Sequence, residues 1–233
     1  QVAEGMVYLH NQDPAIIHRD LKSHNIMVHE TFAEKAGGGE FSIKSEIKKN
    51  GSEGSNASPY RVDHSDRSLK MDSEATIIAK IGDWGSARAQ LSGSRTMTHG
   101  VGTACWLAPE VIKHARHSQY SDVYSFGIIL WEIATREEVY GDLEGTQIIA
   151  KVANDGLRPP VPEDNPLSDL MVKCWCENPE DRLSFKEINK ELNRILSELA
   201  EEERSLSMSQ ETSSTNISSY QNTIAEEKPS DAY

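Results

Sequence analysis

His18-Arg19-Asp20-Leu21-Lys22-Ser23-His24-Asn25 is one half of the pattern that decides the reading, and Gly82-Asp83-Trp84-Gly85 is the other. In the first run Asp20 offers a carboxylate base in a turn. Lys22 puts a cation two residues on, and Asn25 adds a neutral oxygen ligand. Those three groups suit phosphoryl transfer, which needs something to orient a hydroxyl, something to neutralise the transferred group and something to hold Mg²⁺. In the second run Asp83 is a hard oxygen donor at the end of a β-like stretch, Thr76–Ile81. The glycines on both sides, Gly82 and Gly85, permit unusual backbone angles and close approach of a ligand.

Working outward, a second β-like stretch, Ile26–Val28, follows Asn25 directly. The two stretches flank residues 30–75, a low-complexity insert. Between Gly37 and Ser58, twelve of 22 positions are Gly, Ser or Asn, a composition that cannot bury enough apolar area to offset its ordering entropy. The simplest arrangement is a two-stranded hairpin with a very long tip. Upstream, Gln1 to His10 reads as helix, with Val2, Met6 and Leu9 on one face. Downstream, Ser125 to Ala134 is apolar nearly all round, which marks a helix buried inside a helical domain. Leu167, Leu170, Met171, Cys174 and Trp175 follow the i, i+3, i+4, i+7, i+8 spacing of an amphipathic helix. A last helix begins at Phe185, after the capping box of Ser184 and Glu187, and aligns Ile188, Leu192, Ile195, Leu196 and Leu199. Residues 200–233 are acidic and then Ser/Thr-rich, the composition of a disordered tail. The expected class is α+β, predominantly α, in one unit spanning 1–199.

The 233 residues carry a formal net charge of −13. From Ser197 onward there are eight acids and two bases, so nearly half of that charge belongs to the tail. An acidic balance argues against a nucleic-acid binder, because phosphate contacts need a basic face. No apolar run approaches the roughly 20 residues of a membrane helix. Three cysteines, Cys105, Cys174 and Cys176, make no disulfide framework and point to a reducing, cytoplasmic setting. The eight histidines form no zinc spacing, and Cys174 and Cys176 suit core packing better than a shared metal.

Further motifs follow in order: Gly102-Thr103-Ala104-Cys105-Trp106-Leu107-Ala108-Pro109-Glu110, then Asp122-Val123-Tyr124-Ser125-Phe126-Gly127, and finally Arg182. Together the chain resembles the large, C-terminal lobe of the eukaryotic protein kinase family over roughly residues 1–29 and 76–199. The run Leu21 to Asn25 and the ending Cys174-Trp175…Asn178-Pro179…Arg182 look most like the tyrosine-kinase-like group of Ser/Thr kinases. The resemblance implies ATP and Mg²⁺ as cofactors, protein substrates, and a role for each matching residue. Asp20 would accept or orient the substrate hydroxyl proton, and Lys22 would contact the γ-phosphoryl group. Asn25 and Asp83 would hold Mg²⁺, and Thr103 would bond to Asp20 and Lys22 as in Ser/Thr kinases. Glu110 and Arg182 would form a buried bidentate pair, and Asp122 would anchor the catalytic loop. His18 and Trp84 would pack beneath the nucleotide. Arg19 would pair with a phosphate on the activation segment, with Thr96 or Thr98 the leading acceptors.

Trp84 stands where the family has Phe, and Leu183 where it usually has Pro. The insert separates Asn25 from Asp83 by 58 positions. Growing a hairpin tip about three doublings costs ~2 kcal/mol of closure entropy, which a domain survives if the strands still pair. No glycine-rich loop precedes the catalytic loop, because only 17 residues come before His18. The chain therefore reads as a fragment whose small lobe lies upstream, and the 233 residues alone are expected to bind ATP weakly. A rival from another class is a kinase-derived interaction module without chemistry. Intact Asp20, Lys22, Asn25 and Asp83 disfavour it. A tyrosine-specific or dual-specificity kinase is disfavoured by Lys22 and Thr103.

Overall fold

The computed structural model describes residues 1–32, 75–89 and 101–226. Helix α1 (Val2–His10) buries Ala3, Met6 and Leu9 along one face, as its periodicity requires. Helix α3 (Gln119–Thr135) is the centre of the molecule, with every residue from Ser121 to Trp131 buried. It begins six residues before the apolar run suggests, because Ser118 and Ser121 close a reciprocal capping box that starts the helix within a polar stretch. Helix α5 (Ser168–Cys174) lies against α3 so tightly that a Cβ on Gly127 would stand 2.8 Å from Cβ of Cys174. Two shorter helices, α2 (Pro109–His114) and α4 (Gly145–Asn154), complete the helical layer. Neither stands out in the sequence. One is six residues long and starts on Pro109, and the other buries only Ile148 and Val152.

Helix α6 starts as its capping box predicts: the Ser184 amide donates to Glu187 Oε2 at 2.7 Å, and the Glu187 amide donates back to Ser184 Oγ at 3.3 Å. It runs Phe185–Glu226 and so carries helical backbone through positions 200–226, where composition suggests a disordered tail. Once a helix is nucleated, strong helix formers such as Glu201–Arg204 extend it at little cost. Residues 201–208 are all exposed, so this stretch adds nothing to the core. Among the described residues, no helix is long and apolar enough to cross a membrane.

Two small antiparallel sheets position the site. Strand β2 (Ile26–Phe32) pairs with β3 (Ala75–Ile81) from Ile26↔Ile81 to Phe32↔Ala75. This is the hairpin expected around the insert, and β2 continues four residues past Val28. Backbone pairing propagates through His29, Glu30 and Thr31 whether or not their side chains are apolar. Strand β1 (Ile16–Ile17) pairs with β4 (Arg88–Ala89). Residues 18–25 lie between β1 and β2, and residues 82–87 lie between β3 and β4. Because those strands pair, the two loops are forced alongside each other although 58 positions separate Asn25 from Asp83. The fold is a kinase-type large lobe: α+β, mostly helical, with a minor sheet component.

Candidate active site

Asp20 and Lys22 form an ion pair, with Nζ 3.1 Å from Oδ1 and 2.9 Å from Oδ2. The same ammonium donates to Thr103 Oγ1 at 3.0 Å, so a residue 81 positions downstream closes the cluster. Asn25 Nδ2 donates to the Asp20 carbonyl at 2.7 Å and to Asp20 Oδ2 at 3.1 Å. That leaves the Asn25 amide oxygen available as a hard ligand. Thr103 is bonded to Lys22 as the family pattern implies; the bond of Thr103 to Asp20 is replaced by their shared contact with Lys22.

Asp83 arrives through the backbone. The Gly82 amide donates to the Asn25 carbonyl at 2.8 Å, and a Cβ on Gly82 would sit 2.9 Å from Cε of Met27. Asp83 adopts the left-handed conformation at φ 55°, which aspartate tolerates better than most residues. Its exposed carboxylate accepts one long bond from the Gly85 amide, at 3.4 Å. His18 Nε2 lies 3.1 Å from the Gly82 carbonyl, and its ring is 5.1 Å from that of Trp84. The two rings are tilted by 58°, and Trp84 is 45% exposed, so it meets His18 at the surface rather than in the core.

The loop hangs from α3. Asp122 is 1% exposed and accepts from the His18 amide at 2.8 Å and from the Arg19 amide at 3.0 Å. Two amides captured by one carboxylate hold Arg19 at φ 70°, a conformation that needs support from outside the turn. Arg182 meets Glu110 through two parallel bonds of 2.8 and 2.9 Å, with the guanidinium fully buried. Thr96 and Thr98, the phosphate acceptors suggested by sequence, lie outside the described residues.

Several contributors were given no role by the sequence motifs. His10 Nε2 lies 3.0 Å from Asp122 Oδ2, which ties α1 to the same anchor. Tyr124, fully buried in α3, lies under both Arg158 and Arg182 at 5.0 and 5.2 Å. Burial pushes its phenol above the ordinary value although both cations pull it down. Glu132 is bonded to Ser23 and Trp106, and burial raises its carboxyl above the usual range. A glutamate inside an apolar helix, at a spacing that faces the site, was the one available signal for it.

Mg²⁺ fits this donor set. Among the described residues no group of three or more His, Cys, Asp and Glu could hold a metal by itself. Mg²⁺ does not require such a cage, because it is held by one or two side-chain oxygens together with water and substrate phosphates. The amide oxygen of Asn25 and the carboxylate of Asp83 supply oxygens of that kind.

This fold and cluster define a phosphotransferase-type large lobe. The family model described as "Protein tyrosine and serine/threonine kinase" matches residues 1–192, and the chain belongs to that family. It is a eukaryotic protein kinase chain of tyrosine-kinase-like type. It is 34% identical to the probable serine/threonine-protein kinase drkA of Dictyostelium discoideum over 83% of this chain and 23% of that protein. It is 33% identical to the serine/threonine-protein kinase STY17 of Arabidopsis thaliana over 87% of this chain and 28% of that protein. A mitogen-activated protein kinase kinase kinase of Drosophila melanogaster is 34% identical over 84% of this chain and 14% of its own length. The chain thus spans between 14% and 28% of the length of these relatives.

Proposed function

We propose that this chain is the catalytic large lobe of a Ser/Thr protein kinase, acting on proteins in the cytoplasm with ATP and Mg²⁺. The observation that carries the reading is the convergence of Asp20, Lys22, Asn25 and Thr103 through bonds of 2.7–3.1 Å. The Gly82–Asn25 backbone bond of 2.8 Å, made by the residue before Asp83, supports the same reading.

On this reading Asp20 orients a substrate hydroxyl and takes its proton as the oxygen attacks the γ-phosphorus, while the bond from that phosphorus to the β,γ-bridging oxygen breaks and ADP leaves. Lys22, steadied by Thr103, places its ammonium beside the transferred group and offsets the negative charge that develops there. Asn25 and Asp83 hold Mg²⁺, which when bound neutralises charge on the phosphate oxygens. His18 and Trp84 fix the Gly82–Asp83 corner. Glu110, Asp122 and Arg182 hold the segments on the helical lobe and touch no substrate. Lys22 and Thr103 support Ser/Thr over Tyr specificity.

The glycine-rich loop and strand lysine that complete a nucleotide site are, on this reading, supplied by a small lobe packed over the β2–β3 hairpin. Val28 and Ile77 support that arrangement: they share one face of the hairpin and are 65% and 55% exposed. Incubating the full-length protein with γ-labelled ATP and Mg²⁺, followed by phosphoamino-acid analysis, tests the reading. Label on Ser and Thr is expected. Label on Tyr alone overturns the specificity, and no transfer leaves an interaction module as the better description.

A further inference from the structure

A cavity of about 430 Å³ opens between the end of α2, the end of α4 and the loop after α5, lined by Lys113, Asn154, Gly156, Arg158, Trp175 and Glu177. None of these residues belongs to the cluster around Asp20. An anion already sits at its edge. Glu177 Oε1 accepts from Lys113 Nζ at 3.0 Å and Oε2 accepts from Arg158 Nη2 at 2.8 Å, so one carboxylate is held between cations from two separate segments. Burial works to raise that carboxyl, but Lys113 and Arg158 outweigh it and hold it below the usual carboxylate range.

The two cations differ in rigidity. Arg158 Nε donates to the Trp175 carbonyl at 2.9 Å, Nη1 donates to the Leu157 carbonyl at 2.8 Å, and the guanidinium lies 5.0 Å from the centre of the Tyr124 ring. Lys113 is held only through Glu177 and is 37% exposed. Glu177 is itself 55% exposed, so its side chain can swing into water at little cost. Gly156, at φ 68°, has open space where a Cβ would stand, which leaves the approach clear. Of the exposed charges next to these residues in sequence, Arg116 and Asp155 are opposite in sign.

We propose that this cavity docks a phosphorylated side chain of a protein partner, with the phosphate taking the place of Glu177 between Lys113 and Arg158. The choice of anion follows from the competitor. Glu177 is tethered in place, so a carboxylate of equal charge arriving from solution cannot displace it. A phosphate monoester carries about −1.5 to −2 charge and three acceptor oxygens, and it engages an ammonium and a guanidinium more strongly than a carboxylate does. Once Glu177 swings out, two positive charges face it. The cavity exceeds what a phosphate group fills, and the remainder takes the side chain that bears it, beside Trp175. This site stands apart from phosphoryl transfer, and its test needs no turnover.

Fluorescence anisotropy of a labelled Gly/Ala peptide bearing one phosphoserine tests the site in the full-length protein, with the unphosphorylated and aspartate peptides alongside. Saturable binding of the phosphopeptide alone is expected. Lys113→Ala should weaken it roughly tenfold, and Glu177→Gln should tighten it severalfold by removing the competing charge. That gain is one a merely structural ion pair would not give. Circular dichroism checks that both variants fold, and Lys113→Gln serves if Lys113→Ala does not. Absence of saturable binding overturns the proposal, as does an aspartate peptide that binds equally well. A phosphopeptide held as tightly by Lys113→Ala, or no more tightly by Glu177→Gln, also refutes it. Inorganic phosphate that displaces the peptide at equal concentration would mark a free-ion site. Vesicles of phosphorylated inositol lipid that bind through Lys113 while the peptide does not would mark a membrane site. Either result overturns protein docking.

Discussion

The guanidinium of Arg182 meets both carboxylate oxygens of Glu110 across 72 positions of sequence, and its remaining donors reach the carbonyls of Tyr120, Cys176 and Glu177 at 2.9, 2.8 and 3.3 Å. All of its polar surface is satisfied in a site with no solvent exposure. The pair joins the segment that ends at α2 to the loop before α6. The value of the pair lies in the cost of breaking it.

Arg182→Ala leaves Glu110 partly buried without its counter-charge and is expected to cost ~3–5 kcal/mol. Chemical denaturation of the two proteins measures it. Arg182→Lys should recover only part, since a point charge cannot make two parallel bonds. A midpoint unchanged in Arg182→Ala contradicts the assignment.

Asp122→Asn tests the loop anchor. Each carboxylate oxygen serves a different backbone amide, His18 on Oδ2 and Arg19 on Oδ1. Asparagine has only one acceptor, so one buried amide would face an NH₂ group. A loss of about 1–3 kcal/mol is expected, together with lower activity from a loosened Asp20. Equal stability and equal kcat would mean the loop holds its shape unaided.

Gly127→Ala probes the α3–α5 contact. With Cβ of Cys174 at 2.8 Å from the added methyl position, the helices must separate, at a cost of about 1–3 kcal/mol. Thermal unfolding reads this directly, and a neutral substitution would show that the helices part easily.

Burial pushes the Cys105 thiol up to about 11 and the Cys174 thiol up to about 12. The thiolate is the reactive form. At pH 8 both should resist alkylation in the folded protein and react after denaturation. Because the unfolded thiols ionise first, with an ordinary value of 9.0, stability should fall as pH rises from about 9 towards 11. Rapid native-state labelling of Cys174 at pH 8 contradicts its burial.

The parts of this molecule legible in the sequence are those where a few adjacent residues carry chemistry or periodicity. His18–Asn25 and Gly82–Gly85 announced themselves, as did the buried face of α1 and the capping box that starts α6. The β2–β3 hairpin was legible because two apolar stretches flank a long run of low-complexity sequence. The β1–β4 pairing was not, since two-residue strands leave no periodic trace, and yet it is what sets the two loops side by side. His10 and Glu132 escaped for a related reason. Each acts through a partner more than 100 positions away, and a polar residue in a helix does not say which distant partner it meets.

Asp20→Asn removes the carboxylate that receives the substrate proton while keeping its shape. In the full-length protein it should lower kcat by roughly 10²–10⁴-fold with folding unchanged by circular dichroism.

The most direct measurement is a crystal structure of the full-length protein with Mg²⁺ and a non-hydrolysable ATP analogue. The account predicts metal coordinated by the Asn25 amide oxygen and the Asp83 carboxylate, with Lys22 on the terminal phosphate and Asp20 facing it. A nucleotide bound with its metal out of reach of Asn25 and Asp83 would contradict it.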